Sequence, residues 1–214
     1  MKTYVIADIH GRLDLLNAAL AMIGPGTVIF TGDYVDRGPE SAGVVARLIA
    51  GPARSDHAWI FLKGNHEDMM DAALTNSDDA GLWLINGGKQ TLDSYGIGSM
   101  DYSAVIMGGH HAWIKTLPTA HEDAQRIYVH AQMSDNEDVR LWGRSTADVG
   151  WNGKHVVHGH TAHREPELLV NRTNLDCGAY HFGRLAIGVF DDDLAGGPVD
   201  VLWAEACADQ VEPA

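Results

Sequence analysis

The chain is short of cysteine, of positive charge and of long apolar runs, and each shortage excludes something. Cys177 and Cys207 are the only thiols in 214 residues. Two are too few for a disulfide framework, so a reducing compartment is expected. Fifteen lysines and arginines stand against 29 aspartates and glutamates, a net charge of −14. A surface this acidic repels polyanions, which argues against a nucleic-acid groove or an anionic membrane patch. No apolar stretch nears the roughly 18 residues of a membrane span, and no basic-then-apolar leader precedes the first strand. The expected setting is therefore cytoplasmic. No internal repeat is visible, and the length suits one domain, residues 1–214, with a core of its own.

What the chain does have is a recurring local pattern. Five times a short, β-branched apolar run ends in a residue able to hold a metal or a phosphate. Tyr4-Val5-Ile6-Ala7 leads into Asp8-Ile9-His10-Gly11. Val28-Ile29-Phe30 leads into Gly32-Asp33-Tyr34-Val35-Asp36-Arg37-Gly38. Trp59-Ile60-Phe61-Leu62 leads into Gly64-Asn65-His66-Glu67. Ile127-Tyr128-Val129 leads into His130-Ala131, and His155-Val156-Val157 into His158-Gly159-His160-Thr161. Such runs bounded by glycine read as buried strands, and open α/β sheets bind ligands beyond the carboxyl ends of their strands. Asp8, His10, Asp33, Asn65, His130 and His160 are thereby expected on one rim.

That mixture of carboxylate, imidazole and amide suits divalent metals. Two ions about 3.5–4 Å apart can stabilise both the attacking and the leaving oxygen of a phosphoryl displacement. A pair needs a bridging group, and Asp33, directly after the second strand, has the two oxygens to serve. Each motif alone has a plainer explanation. Asp8 can cap the helix that follows Arg12, Asp36 and Arg37 can be a surface ion pair, Asn65 can be a turn residue, and one histidine at a strand end is usually structural. The five strand ends taken together favour ligation. His158 has either a supporting or a turn-filling role.

Between the motifs, Leu13, Leu16 and Leu20 mark a helix stopped by Gly24-Pro25-Gly26. Val44, Val45, Leu48 and Ile49 mark the inward face of a second, ended by Gly51-Pro52. Strands alternating with helices imply right-handed parallel units. Residues 67–115 read as a helical cap inserted in this scheme. Later strands at Ile127–Val129, Val156–Val157, Thr173–Asp176, Leu185–Val189 and Val199–Trp203 suggest a second, more antiparallel sheet.

These motifs, in this order, resemble the phosphoprotein phosphatase family of dinuclear metallophosphoesterases, and are most similar to its small phage and bacterial, lambda-type branch. Asn65-His66-Glu67-Asp68-Met69-Met70 and Trp83-Leu84-Ile85-Asn86-Gly87-Gly88 carry that likeness as well. The resemblance implies an α/β fold, a two-sheet β-sandwich flanked by helices with a helical cap (the calcineurin-like metallophosphoesterase fold). It implies a serine/threonine protein phosphatase, a phosphoric monoester hydrolase needing two divalent ions, with Mn first and Fe or Zn as alternatives. The substrate would be a phosphorylated protein or a small phosphoester. Asp8, His10, Asp33, Asn65, His130 and His160 become the metal ligands. His66 becomes the general acid, oriented by Asp36, and Arg37 a phosphate clamp. Arg144, in Trp142-Gly143-Arg144, matches a second phosphate-binding arginine. Lys63 stands where the family usually has arginine, and a lysine cannot make the bidentate fork.

Two rivals remain. Symmetrical dinucleoside tetraphosphate hydrolases carry similar motifs, but the cap is poor in cations for holding two nucleosides. A non-catalytic phosphoprotein-binding module would have lost ligands, and all six are present.

Overall fold

The computed structural model describes residues 1–97, 109–144 and 146–206. Strands β1 (Lys2–Ile6), β2 (Gly26–Phe30) and β3 (His57–Phe61) alternate with helices α1 (Leu13–Met22) and α2 (Ser41–Ala50). They pair in parallel, as the alternation implied. Successive strand residues point to opposite faces, and the burial follows that rule. Tyr4, Ile6, Val28 and Phe30 pack against the helices, with Leu15, Leu16, Val44, Val45 and Leu48. Val5, Ala7 and Ile29 face the other way, against Tyr128, Val157, Leu175 and Phe190. The sheet is thus buried on both sides, which is why its strands read as continuous apolar runs. Ile49, expected inward, is 43% exposed; α2 buries the narrower stripe of Val44, Val45 and Leu48.

The expected helical insertion is present in the described residues. It comprises α3 (Asn65–Thr75), a 3-10 turn (Ser77–Asp79), α4 (Ala80–Trp83), a π-turn (Leu84–Gly88), α5 (Lys89–Ser94) and α6 (His110–Lys115). Residues 98–108 of the expected cap lie outside the described residues. Met69, Met70, Trp83, Leu92 and Ile114 join the same core as α1 and α2.

The second sheet departs from expectation. It contains β4 (Ala120–Glu122), β5 (Arg126–Val129), β6 (His155–His158), β7 (Glu167–Leu168) and β8 (Arg172–Asn174), in the order β4-β5-β6-β8-β7. Its centre, β5-β6-β8, is parallel, and only the short edges β4 and β7 are antiparallel. α7 (Glu137–Trp142) follows β5, and α8 (Ala179–Phe182) follows β8. The last two strands, β9 (Arg184–Asp191) and β10 (Asp200–Glu205), leave this sheet and extend the first, giving β10-β9-β1-β2-β3. β9 runs antiparallel to β1, with Gly188 opposite Val5. Six of the eight residues of β9 are buried, the burial of a central strand, and the edge of β1 away from β2 provides that place. No helix among the described residues is long and apolar enough to cross a membrane.

Candidate metal centre

The loops after β1, β2, β3, β5 and β6 meet at the rim where the two sheets adjoin. Asp8, His10, Asp33, Asn65, His66 and His130 are all buried there. The backbone at this rim is unusual. Among the described residues, non-glycine residues with positive φ are Asp8 (49°), His10 (45°), Asp33 (56°), Asp36 (73°), Arg37 (69°), His160 (69°) and one residue elsewhere, Asn152. Left-handed backbone is disfavoured for residues with a Cβ and persists where surrounding structure over-determines it, typically at functional sites. Two glycines allow the loops to close. A Cβ on Gly64 would overlap Asp33 Oδ1, and one on Gly159 would overlap Asp8 Oδ2.

Two groups of potential ligand atoms form at this rim, each within 4.8 Å: His10, Asp33 and His66, and Asp33, His130 and His160. Asp33 belongs to both. Its Oδ2 lies 3.5 Å from His10 Nε2 and its Oδ1 lies 3.5 Å from His130 Nε2. Asn65 Oδ1 completes the second group, 2.9 Å from His130 Nε2 and 3.0 Å from His160 Nδ1. Asp8 lies outside both groups. Its carboxylate accepts the His160 backbone N–H, at 3.0 and 3.1 Å.

The donor chemistry fits divalent ions. His10 Nδ1 donates to Val35 O and His130 Nδ1 to Thr31 O, each at 2.9 Å. A backbone carbonyl that takes the Nδ1–H fixes the tautomer and leaves the Nε2 lone pair free for a metal, as is usual for metal-bound histidines. His130 Nε2, His160 Nδ1 and Asn65 Oδ1 converge with at most one proton among them, that of His160, so lone pairs are left over that a cation would satisfy. Burial drives His10 well below the ordinary imidazole range, lowers His130, and together with the charge of His130 takes His160 to about 3. All three are therefore neutral at neutral pH, the form that binds metal. Burial alone would raise Asp33, but His130, His66 and His10 outweigh it and hold the carboxyl well below its usual range.

Beside these groups, His66 Nδ1 donates to Asp36 Oδ2 at 2.7 Å. Burial opposes protonation of His66, yet the charge of Asp33 and the bond to Asp36 raise its pKa above the ordinary value. Arg37 forks toward the site, its two terminal nitrogens donating to His10 Nε2 and His66 Nε2, both at 2.8 Å. Arg144 is exposed and borders a cleft that Ala131 and Thr161 also line. It is close enough for its charge to depress His160. Lys63 turns elsewhere: its ammonium lies 3.8 Å from Asp71, which also accepts from His111 Nε2 at 2.8 Å. His158 bonds Gly159 O and accepts from Arg172, facing away from the donor groups.

Several residues that build this site had no role assigned from the sequence. Asp36 is held from the cap by Trp83 Nε1 at 2.9 Å and Thr91 Oγ1 at 2.6 Å. Glu67 is fully buried and accepts the backbone N–H groups of Asp33, Tyr34, Val35 and Gly64, at 2.8, 2.8, 3.2 and 2.9 Å. Its spacing from Gly64, three residues into a helix, is the capping-box signal. Burial and the nearby Asp33 push Glu67 up to about 7, against the donors Gly64, Tyr34 and Asp33. Asp176, buried among the charges of Asp33 and Asp8, is pushed up to about 6 by burial. Nothing local in the sequence marks Trp83, Thr91 or Asp176 as partners of this rim.

The family model for calcineurin-like phosphoesterases matches residues 1–168. The chain belongs to that family. It is a metal-dependent phosphoester hydrolase, and the rim described above lies within the matched residues up to His160. A similar curated protein is serine/threonine-protein phosphatase 2 of Escherichia coli, 25% identical over 86% of this chain and 90% of its own length. Another is the asymmetrical bis(5′-nucleosyl)-tetraphosphatase PrpE of Bacillus subtilis, 25% identical over 90% of this chain and 88% of its own length. Among solved structures, a serine/threonine phosphatase from Saccharomyces cerevisiae covers 97% of this chain, and the match covers 80% of that structure. Its TM-score is 0.65 at 18% identity, a likeness of fold. The two-sheet, helix-flanked architecture expected from the sequence is thereby borne out.

Proposed function

We propose that this hydrolase works on phosphoserine and phosphothreonine in proteins, using two divalent ions, Mn²⁺ first among them, in the cytoplasm. The observation that carries the reading is the sharing of Asp33 between two donor groups, with the His66–Asp36 pair and the Arg37 fork beside them. Asp8, His10 and Asp33 would hold one ion, and Asp33, Asn65, His130 and His160 the other. Bound there, the ions would supply Lewis acidity, bringing the pKa of water from 15.7 toward about 7 and neutralising phosphoryl charge.

The remaining work falls to side chains of this chain. Arg37 presents a planar fork, suited to two oxygens of one phosphoryl group, and Arg144 adds positive charge at the mouth. Asp36, fixed by Trp83 and Thr91, keeps the Nδ1–H of His66 in place. The Nε2 of His66 is then the atom that carries a proton to the leaving oxygen. Lys63, paired with Asp71, has no geometric support for contact with phosphate, and its assignment rests on its place in the motif.

The Bacillus relative favours a second reading, a dinucleoside tetraphosphate hydrolase. The deciding experiment sets a phosphoserine peptide beside symmetrical and asymmetrical dinucleoside tetraphosphates in Mn²⁺, with metal content measured on the same preparation. Higher kcat/KM on the peptide, with two ions per chain, is expected. A better rate on either dinucleotide replaces the protein-phosphatase reading, and one ion or none in active enzyme removes the two-ion centre.

A further inference from the structure

Tyr180 is 41% exposed, and its ring closes one side of the centre. Arg37 Cζ lies 5.0 Å from the ring centroid. His10 meets the same ring edge-on, centroids 5.5 Å apart and planes at 84°. His10 in turn stands edge-on to His66 at 4.7 Å. Tyr180, Arg37, His10 and His66 are thus one packed set.

The turn that carries Tyr180 is held at both ends. Gly178 and Gly183 flank α8 in left-handed backbone, at φ 62° and 70°. Asp176 Oδ1 accepts the Gly178 N–H at 2.9 Å, and Arg12 donates to Ala179 O at 3.1 Å. Ala179 is buried beneath the turn, so the ring projects from a fixed base.

The contacts of the Arg37 guanidinium differ in what a working site does to them. Its hydrogen bonds run to His10 Nε2 and His66 Nε2. If His10 Nε2 holds a metal and His66 Nε2 carries a proton, neither nitrogen can accept from Arg37. The contact with the Tyr180 face needs no lone pair and survives both changes. We propose that Tyr180 is a positioning residue, a π face that keeps the Arg37 fork aimed at the phosphoryl group when both histidines are otherwise engaged. This rests on the reading of Arg37 as phosphate clamp. A long, flexible arginine held this way loses less conformational entropy on binding phosphate than one left free.

The test is calorimetric titration of inorganic phosphate onto the Mn²⁺-loaded protein, with steady-state kinetics on p-nitrophenyl phosphate. Tyr180→Leu should weaken phosphate binding and raise KM by about three- to tenfold, the size of a partly desolvated cation–π contact, with a smaller change in kcat. Tyr180→Phe keeps the π face and should bind phosphate as wild type does. In an Arg37→Ala background, Tyr180→Leu should cause no further loss, because contacting residues couple. Equal phosphate binding by wild type and Tyr180→Leu, or full additivity with Arg37→Ala, overturns the inference alone. A wild-type protein that neither binds phosphate nor hydrolyses a monoester with metal removes the functional reading beneath it, and the inference with it.

Discussion

Asp33 faces His10 and His130 across 3.5 Å and lies 3.9 Å from His66. It also accepts the His66 backbone N–H at 3.1 Å. One carboxylate thus sets the spacing of His10, His66 and His130. His66 differs from the other inward imidazoles because Asp36, held by Trp83 and Thr91, gives it a second buried anion. That difference predicts a leaving-group dependence. His66→Asn should cut kcat on a phosphoserine peptide by roughly 10²–10⁴, the range for a lost general acid. With p-nitrophenyl phosphate, whose leaving group needs little protonation, the loss should be much smaller. Stopped-time assays on both substrates check this, and equal losses would strike His66 as the acid.

The first turn of α3 does more than carry Asn65 and His66. Its Glu67 side chain collects four backbone N–H groups, three from the loop after β2 and one from the entry to the helix. It ties the strained Asp33 backbone to the helix that bears Asn65, so the two loops are held to each other. Glu67→Ala would leave those donors buried without a partner, at about 1–3 kcal/mol for each. Denaturant unfolding should show a loss of several kcal/mol, and metal content should fall with it. Glu67→Gln keeps the size and one acceptor oxygen and should lose less on both measures. A Glu67→Ala protein with wild-type stability would mean that water replaces the carboxylate freely.

At the scale of the molecule, the donors divide between the sheets. Asp8, His10, Asp33 and Asn65 follow strands of the first sheet, and His130 and His160 follow strands of the second. Ions held between them would cross-link the two layers. A ligand present at 100 times its dissociation constant stabilises the fold by about 2.7 kcal/mol, and each kcal/mol moves the Tm of a chain this size by about 2–4 °C. Stripping metal with a chelator should therefore lower Tm by about 5–10 °C for each ion at that occupancy, and Mn²⁺ should restore it. Scanning calorimetry before and after chelation measures this. An unchanged Tm would show that the seam, including the apolar contact of Val5, Ala7 and Ile29 with Tyr128 and Val157, does not depend on metal.

The amino-acid sequence by itself determined what is local. Short apolar runs bounded by glycine announced the strands after which Asp8, Asp33, Asn65, His130 and His160 stand, and helical spacing announced α1 and α2. A strand buried on both faces must be apolar throughout, and the chain after it must carry whatever the rim needs, so both facts are written within a few residues. Which strands pair is not written there. An apolar run tells that β9 is buried on both faces and nothing of the strand beside it, so β9 and β10 read as part of the second sheet and in fact extend the first. The same limit hid the bonds from Trp83 and Thr91 to Asp36, 47 and 55 residues away, and the ring of Tyr180 over Arg37. It also hid the turn of Lys63 toward Asp71. Apart from that of Lys63 with Asp71, these contacts join segments far apart in the chain. Only the packing of the cap and of the last turns onto the rim decided them, because a hydrogen bond or a ring contact depends on distance in space.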